Sequence, residues 1–230
     1  EMMANPEHLA IVKQGVEVWN EWRRKNINEA MDLCSADLRG AYLRRADLRR
    51  TDLVGADLSE ANLFGALLAL TDLSKANLQK AFLSGAEFSS TNLNAANLTQ
   101  ARLDGARIQT TDLFGADLSM VQLGHTVLAD CDLSTARGLE SVEHKAPSYL
   151  SIDTIYKSKG NIPEVFLRGA GVPENLITFM RSLTGKAFDF YSCFISHSAN
   201  DKRFCERLYA DLQAKGVRAW LFEEDAKWGE

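Results

Sequence analysis

The sequence predicts a mainly β protein: a four-sided solenoid, followed by a helical linker and the beginning of an α/β segment. Three observations carry that reading. From Leu33 to Leu133 an apolar residue stands at every fifth position, 21 sites in succession, all leucine except Phe88 and Ile108. Two residues before each is a small side chain, nearly always Ala or Thr, and the residue between is often Asp or Asn, as in Ala36-Asp37-Leu38 and Ala96-Asn97-Leu98. Among the small positions Thr recurs at 51, 71, 91 and 111, with Cys131 next, a spacing of 20 residues.

A period of five suits neither regular element. On an α-helix five steps of ~100° turn each leucine about 140° from the last, so no face collects them. On a flat strand an odd period sends successive leucines to opposite faces. One way to bury all 21 is for the chain to turn a corner every five residues around a common axis. The 20-residue spacing then means four pentapeptides per turn, with Thr stacked on Thr along one side. With neighbouring strands ~4.8 Å apart, slightly more than five coils make a prism about 25 Å long. The Ala and Thr positions stay small because the corner has no room for more.

Composition bounds the rest. The 230 residues hold 26 basic against 31 acidic side chains, a formal charge of -5, with 46% apolar residues. These are ordinary globular values, which exclude a disordered or fibrous chain. Mild acidity argues against a general nucleic-acid binder, whose footprint is basic. The longest apolar run, Leu63 to Leu70, falls far short of the ~20 residues of a membrane span, and the first residues carry no basic-then-apolar signal segment. Cysteines at 34, 131, 193 and 205 form no C-x-x-C pair, so a cytoplasmic, reducing location is expected.

Residues 31–135, on these tandem A-(D/N)-L-x-x units, resemble the pentapeptide-repeat family, and that resemblance implies a right-handed quadrilateral β-helix. A stack of this kind has open ends that need covering. Over residues 1–30, Leu9, Val12, Val16 and Trp19 predict one amphipathic capping helix of about 15 residues, with Pro6 in its first turn and Arg23, Arg24 and Lys25 near its end. Trp19 and Trp22 are expected to cover the first coil. Residues 136–187 contain Pro147, Pro163 and Pro173 and several glycines. They read as a helical linker and cap, with short helices at Ser151–Ser158, Pro163–Arg168 and Pro173–Leu183. Arg168-Gly-Ala-Gly-Val-Pro173 lacks the spacing, preceding strand and Lys-Ser/Thr of a phosphate loop.

Residues 188–230 change grammar. Phe190–Ser196 reads as a strand and Ser198–Asp201 as N-cap chemistry. A helix with Phe204, Leu208 and Leu212 on one face ends at Gly216, and Val217–Phe222 is a second strand. Strand, helix, strand makes a βαβ unit with parallel strands, too little for a finished core: the sequence stops mid-domain, and whether the reading frame continues past Glu230 separates an effector from a pure interaction scaffold. Phe194-Ile-Ser-His-Ser198 with Asp201, and Gly216-Val-Arg-Ala-Trp220 with Glu223 to Gly229, resemble the start of a Toll/interleukin receptor (TIR) domain. The resemblance implies a signalling or defence protein that works through protein–protein contact, TIR–TIR self-association first. In members that cleave NAD the two loops lie over the dinucleotide, which carries over to Ser196, His197, Ser198, Asp201 and Glu223 as ligand-binding residues. The essential glutamate of those members sits in a later Trp-x-x-x-Glu helix. Trp220 and Glu224 show that spacing only at a strand end. No catalytic residue is therefore expected in this chain; NAD is a substrate only of a completed domain, and no cofactor is called for.

Rival readings are weaker. Ser196, His197 and Asp201 are adjacent, whereas hydrolase triads are assembled in space, and no G-x-S-x-G is present. His8, His125 and His144 have no partners at metal-ligand spacing. Asp32, Asp52, Asp72, Asn92, Asp112 and Asp132 form a column that invites a DNA-mimicking, topoisomerase-binding reading. Residues 31–135 hold 13 acids against 9 bases, however, with Arg39, Arg44, Arg45, Arg49 and Arg50 crowding the first coil. Short Asp and Asn side chains bonded to the corner backbone explain the column equally well. A non-enzymatic interaction scaffold is the remaining alternative.

Overall fold

The structure, a computed structural model, describes residues 3–27, 29–184, 193–195, 202–215 and 219–221. They fall in two compact units, Glu1–Ile177 and Thr178–Glu230.

The first unit opens with two helices where the periodicity predicts one. Helix α1 (Pro6–Lys13) is capped by Asn5, whose Oδ1 accepts from the Glu7 amide at 2.9 Å. Gly15 then takes a φ of 111°, closed to other residues, and α2 (Val16–Lys25) starts afresh. That break rotates the buried stripe. His8, Val12, Trp19 and Arg23 are buried, while Leu9 and Val16 are only half-buried.

From Met31 the chain winds into the four-sided coil. The first side carries β1 (Met31–Asp32) and β2 (Thr51–Asp52), paired in parallel with Met31 opposite Thr51. The fourth side carries β3 (Glu87–Ser89), β4 (Arg107–Gln109) and β6 (Val127–Ala129), and the third β5 (Gln122–Leu123). Most other sides are too short for a strand and pair through one residue, always parallel and 20 residues apart: Asp37 with Asp57, Tyr42 with Asn62, Asp47 with Leu67. All 21 fifth-position residues are buried, Leu118 being the most exposed at 7%.

Each corner follows one rule. The second residue after every inward Leu, from 35 to 130, has a positive φ, and only six of these twenty are glycine. Leu70 (φ 61°) and Met120 (φ 57°) are among the others. A left-handed L-residue costs on the order of 1 kcal/mol, and the coil offsets it with backbone bonds between turns. Ser35 N donates to Val54 O at 2.8 Å and Arg50 N to Ala69 O at 3.0 Å. Inside the corners, Thr71 and Thr91 donate to the carbonyls of Leu48 and Leu68, 23 residues earlier, at 2.7 and 2.6 Å. These two hydroxyls are thus satisfied within the core, whereas that of Thr51, in the column's first turn, is buried without a partner among the described residues; Ala fills most of the remaining small positions.

Asp and Asn serve the corner backbone, as the simpler of the two sequence readings has it. Asp52, Asp72 and Asp112 each accept the amide two residues on at 2.9 Å. Asp57 does more: its Oδ1 accepts from the Ser59 amide (3.0 Å), the Ser59 hydroxyl (2.6 Å) and Asn77 Nδ2 (3.1 Å), and Asn97 Nδ2 continues the ladder to Asn77 at 3.2 Å. Asp57→Ala is expected to cost about 1–2 kcal/mol. Asp57→Asn, which keeps the acceptor, should recover most of that in urea unfolding.

The coil does not stop at Leu133. Its pairing continues to β7 (Glu143–His144) against β5 and β8 (Tyr149–Leu150) against β6. The register widens from 20 residues (Asp117 to Arg137) to 21 (Gln122 to Glu143) and 22 (Val127 to Tyr149), so this last turn takes in two extra residues. Helices α3 (Ile152–Lys157) and α4 (Glu164–Gly169) bury Ile155, Phe166 and Leu167. Thr154 Oγ1 accepts from Cys131 N (3.2 Å) and Ser158 Oγ from Leu133 N (3.0 Å), so these hydroxyls satisfy amides of the last coil. Helix α5 (Glu174–Thr184) follows. All three linker helices lie within a residue of their expected bounds.

In the second unit β9 (Cys193–Ile195) and β10 (Ala219–Leu221) pair in parallel with Phe194 opposite Trp220, and α6 (Lys202–Ala214) connects them. The expected strand, helix and parallel strand are present. The buried face of α6 differs from expectation: Cys205 is buried with Tyr209 and Leu212 packed on it, while Phe204 and Leu208 are 62% and 37% exposed. Both sets satisfy the helical period, and the burying stripe lies one residue further round.

Candidate functional site

The residues that the sequence marks for ligand contact, Ser196, His197, Ser198, Asp201 and Glu223, lie outside the described residues, as do Glu224 and the Glu223–Gly229 loop. What the structure shows of their setting is the frame: β9 ends at Ile195, directly before Ser196, and β10 at Leu221, two residues before Glu223. The strands are parallel, so their carboxyl ends point the same way, and in open α/β sheets that end is where ligands bind.

The described residues offer candidate surfaces instead. On the first side the column of acids is turned to the coil's own backbone, Asp52, Asp72 and Asp112 each accepting an amide two residues on. Elsewhere acids are paired: on the second side Arg39 forks onto Asp37 at 2.9 and 2.8 Å, holding that carboxyl down at about 2, and at the corner after the fourth side Lys157 pairs with Asp130 at 2.6 Å. The topoisomerase reading gains nothing from this geometry. The third side is different. Tyr42, Phe64 and Phe82 are exposed there, Arg44 lies 4.4 Å over the Phe64 ring and Arg102 5.6 Å over Phe82. Sequence reasoning missed this face, although the 20-residue register places Tyr42, Asn62, Phe82 and Arg102 in one column. No group of three or more His, Cys, Asp or Glu residues is arranged to hold a metal among the described residues. None of the described helices is long and apolar enough to cross a membrane.

Among the described residues, His144 is the one histidine with both ring nitrogens shielded from water and no partner for either. Its ring meets Phe166 edge-on at 4.9 Å, and a side chain at Gly169 would overlap it. Burial pushes its pKa below the usual imidazole value. In the unfolded chain the ring takes up its proton near pH 6.5, while in the folded chain it stays neutral to lower pH. The folded state therefore binds fewer protons, and stability falls as pH drops below about 6.5. Urea unfolding at pH 7.5 and 5.5 should show a drop in midpoint that His144→Gln reduces; an unchanged drop would place the acid sensitivity elsewhere.

Residues 32–65, 71–109 and 91–130 match the pentapeptide-repeat family, in eight copies. No curated protein matches the chain. Among solved structures, a pentapeptide repeat protein of the cyanobacterium Cyanothece 51142 is 36% identical over 37% of this chain and 58% of its own, with a TM-score of 0.36. A pentapeptide repeat protein from the Arabidopsis thaliana thylakoid lumen is 32% identical over 42% of this chain and 71% of its own, with a TM-score of 0.24. A plasmid-mediated fluoroquinolone resistance protein is 21% identical over 43% and 59%, with a TM-score of 0.30. The chain thus spans little more than half of the first of these relatives. By its repeat, its four-sided coil and the family match over residues 32–65 and 71–130, this part of the chain is a pentapeptide-repeat coil.

Proposed function

We propose that this pentapeptide-repeat scaffold carries the first part of a TIR domain and works in signalling or defence through protein–protein contact, with self-association as its first partner, in a reducing cytoplasm. The observation that carries the proposal is the second unit: two parallel strands joined by α6, whose Phe204 and Leu208 stay exposed. A βαβ unit of this kind buries too little to be self-sufficient, and uncovered apolar side chains on its helix mark where a further surface packs. Cys34, Cys131 and Cys205 are free and buried, in keeping with a reducing location.

Sedimentation velocity over a rising concentration series tests the self-association. The expected result is a concentration-dependent oligomer that Phe204→Lys with Leu208→Lys disperses; a monomer throughout the series overturns it. A nicotinamide-release assay should give no product from these 230 residues, because the Trp-x-x-x-Glu helix of the NAD-cleaving members is missing from them. Product formation would reassign the catalytic role to residues within the chain. NAD cleavage belongs, in this proposal, to the completed domain.

A further inference from the structure

Helix α2 and the first coil form a second feature that the scaffold role does not use. Along one flank of the helix, Trp19 Nε1 donates to Asp47 O (2.8 Å), Asn20 joins Arg45 O (2.9 Å) and Asp47 N (2.8 Å), and Arg23 reaches Arg49 O (2.6 Å) and Glu29 O (3.0 Å). These contacts draw a buried guanidinium, 2% exposed, to the fourth side of the prism. Beside it opens a cleft of about 310 Å³ lined by Arg23, Ile27, Arg49, Arg50, Ala69 and Leu70.

The charge in this cleft does not balance. Arg49 is forked onto Asp47 at 2.8 and 2.6 Å. Arg50 has no ion pair among the described residues, and Arg23 is satisfied by carbonyls, with its Nε left without a partner. Three cations thus face the engaged carboxylate of Asp47 and the more weakly acting Glu29, an excess of positive charge. Glu29 is the weakest of the charges acting on Arg23. Burial, and then the like charges of Arg49 and Arg50, push the Arg23 pKa down from its ordinary value against the pull of Asp47. The walls are apolar: Ile27 is 56% and Leu70 54% exposed. Leu70 occupies a left-handed corner (φ 61°), where an apolar side chain earns nothing from the coil itself.

We infer that this cleft binds a phosphate monoester carried on an apolar group, with Arg50 and the free edge of Arg49 holding the dianion, Arg23 supplying charge from behind, and Ile27 and Leu70 flanking the apolar part. A dianion suits that excess of positive charge, and planar guanidinium forks suit phosphate oxygens. The volume is at the lower end of small-molecule sites.

The test is calorimetric titration of the whole chain with phenyl phosphate and with inorganic phosphate, at pH 8 and constant ionic strength. Phenyl phosphate should bind one to one, and several-fold more tightly than inorganic phosphate. Arg50→Gly, which suits the φ of 55° at that corner and so leaves the fold intact, should weaken it at least tenfold. Asp47→Asn keeps the oxygen that accepts from the Arg49 amide but frees the Arg49 fork, and should strengthen binding. Affinity should fall at pH 5, where the monoester carries one charge, its second pKa being about 6. Absence of a saturable site, equal binding by Arg50→Gly, or a response reproduced by chloride would each overturn the inference.

Discussion

Trp19→Ala is expected to cost about 3–5 kcal/mol, the range of a large aromatic lost from a core, and to loosen the first coil before the rest. Trp19 is fully buried, stacks on Trp22 at 6.5 Å, and donates its indole N–H to the Asp47 carbonyl. The first coil has no preceding turn to take its backbone groups, so an uncovered edge of a parallel stack presents bare donors and acceptors. Side chains of α2 satisfy four of them at once, and Trp19 seals the apolar part between. Guanidinium unfolding measures the loss. Hydrogen exchange should place it first at the amides of residues 43–50. Trp19→Phe, which keeps much of the area but not the indole bond, should fall between. A uniform loss of protection along the prism would mean that the helix stabilises the coil globally.

Gly138→Ala is expected to be the most damaging single methyl in the described chain, at about 3–4 kcal/mol, the sum of overpacking and left-handed strain. A Cβ at Gly138, whose φ is 76°, would sit 2.6 Å from both the Cα and the amide nitrogen of Ser119. Backbone cannot step aside as a side chain can. Gly85 is the control: its φ is 68°, but nothing lies within 4 Å of a Cβ there. Gly85→Ala should therefore lose only the conformational part, about 1 kcal/mol. Equal losses at the two sites, read from urea midpoints, would remove the steric explanation.

The two glycines also show where the sequence is legible. Within the repeat each residue's role recurs up to 21 times, so spacing alone identifies the inward Leu, the small corner and the Asp acceptor. Outside it each role occurs once. Gly138 then looks like any other corner glycine, although the coil above it is closest there. Gly15 breaks the N-terminal helix, but the spacing of Leu9, Val12, Val16 and Trp19 runs straight through it. In α6 the stripes Phe204-Leu208-Leu212 and Cys205-Tyr209-Leu212 are equally helical, and only packing chooses between them. The arginines of the first coil were visible as a crowd. Their convergence with Arg23 and Ile27 depends on how α2 lies along the fourth side, which no local spacing encodes.

The 20-residue register has a consequence for how this chain tolerates insertion and deletion. Removing one pentapeptide between residues 42 and 82 would turn everything downstream by a quarter of a revolution, carrying the Tyr42–Phe82 column of the third side out of line and setting Thr against Ala where the two parts meet. Removing a whole turn of 20, for example 76–95, restores each residue to its own side and shortens the prism by one strand spacing, ~4.8 Å. Length can thus change in fixed steps while the pattern of each face is kept, and the prism behaves as a ruler graduated in single turns.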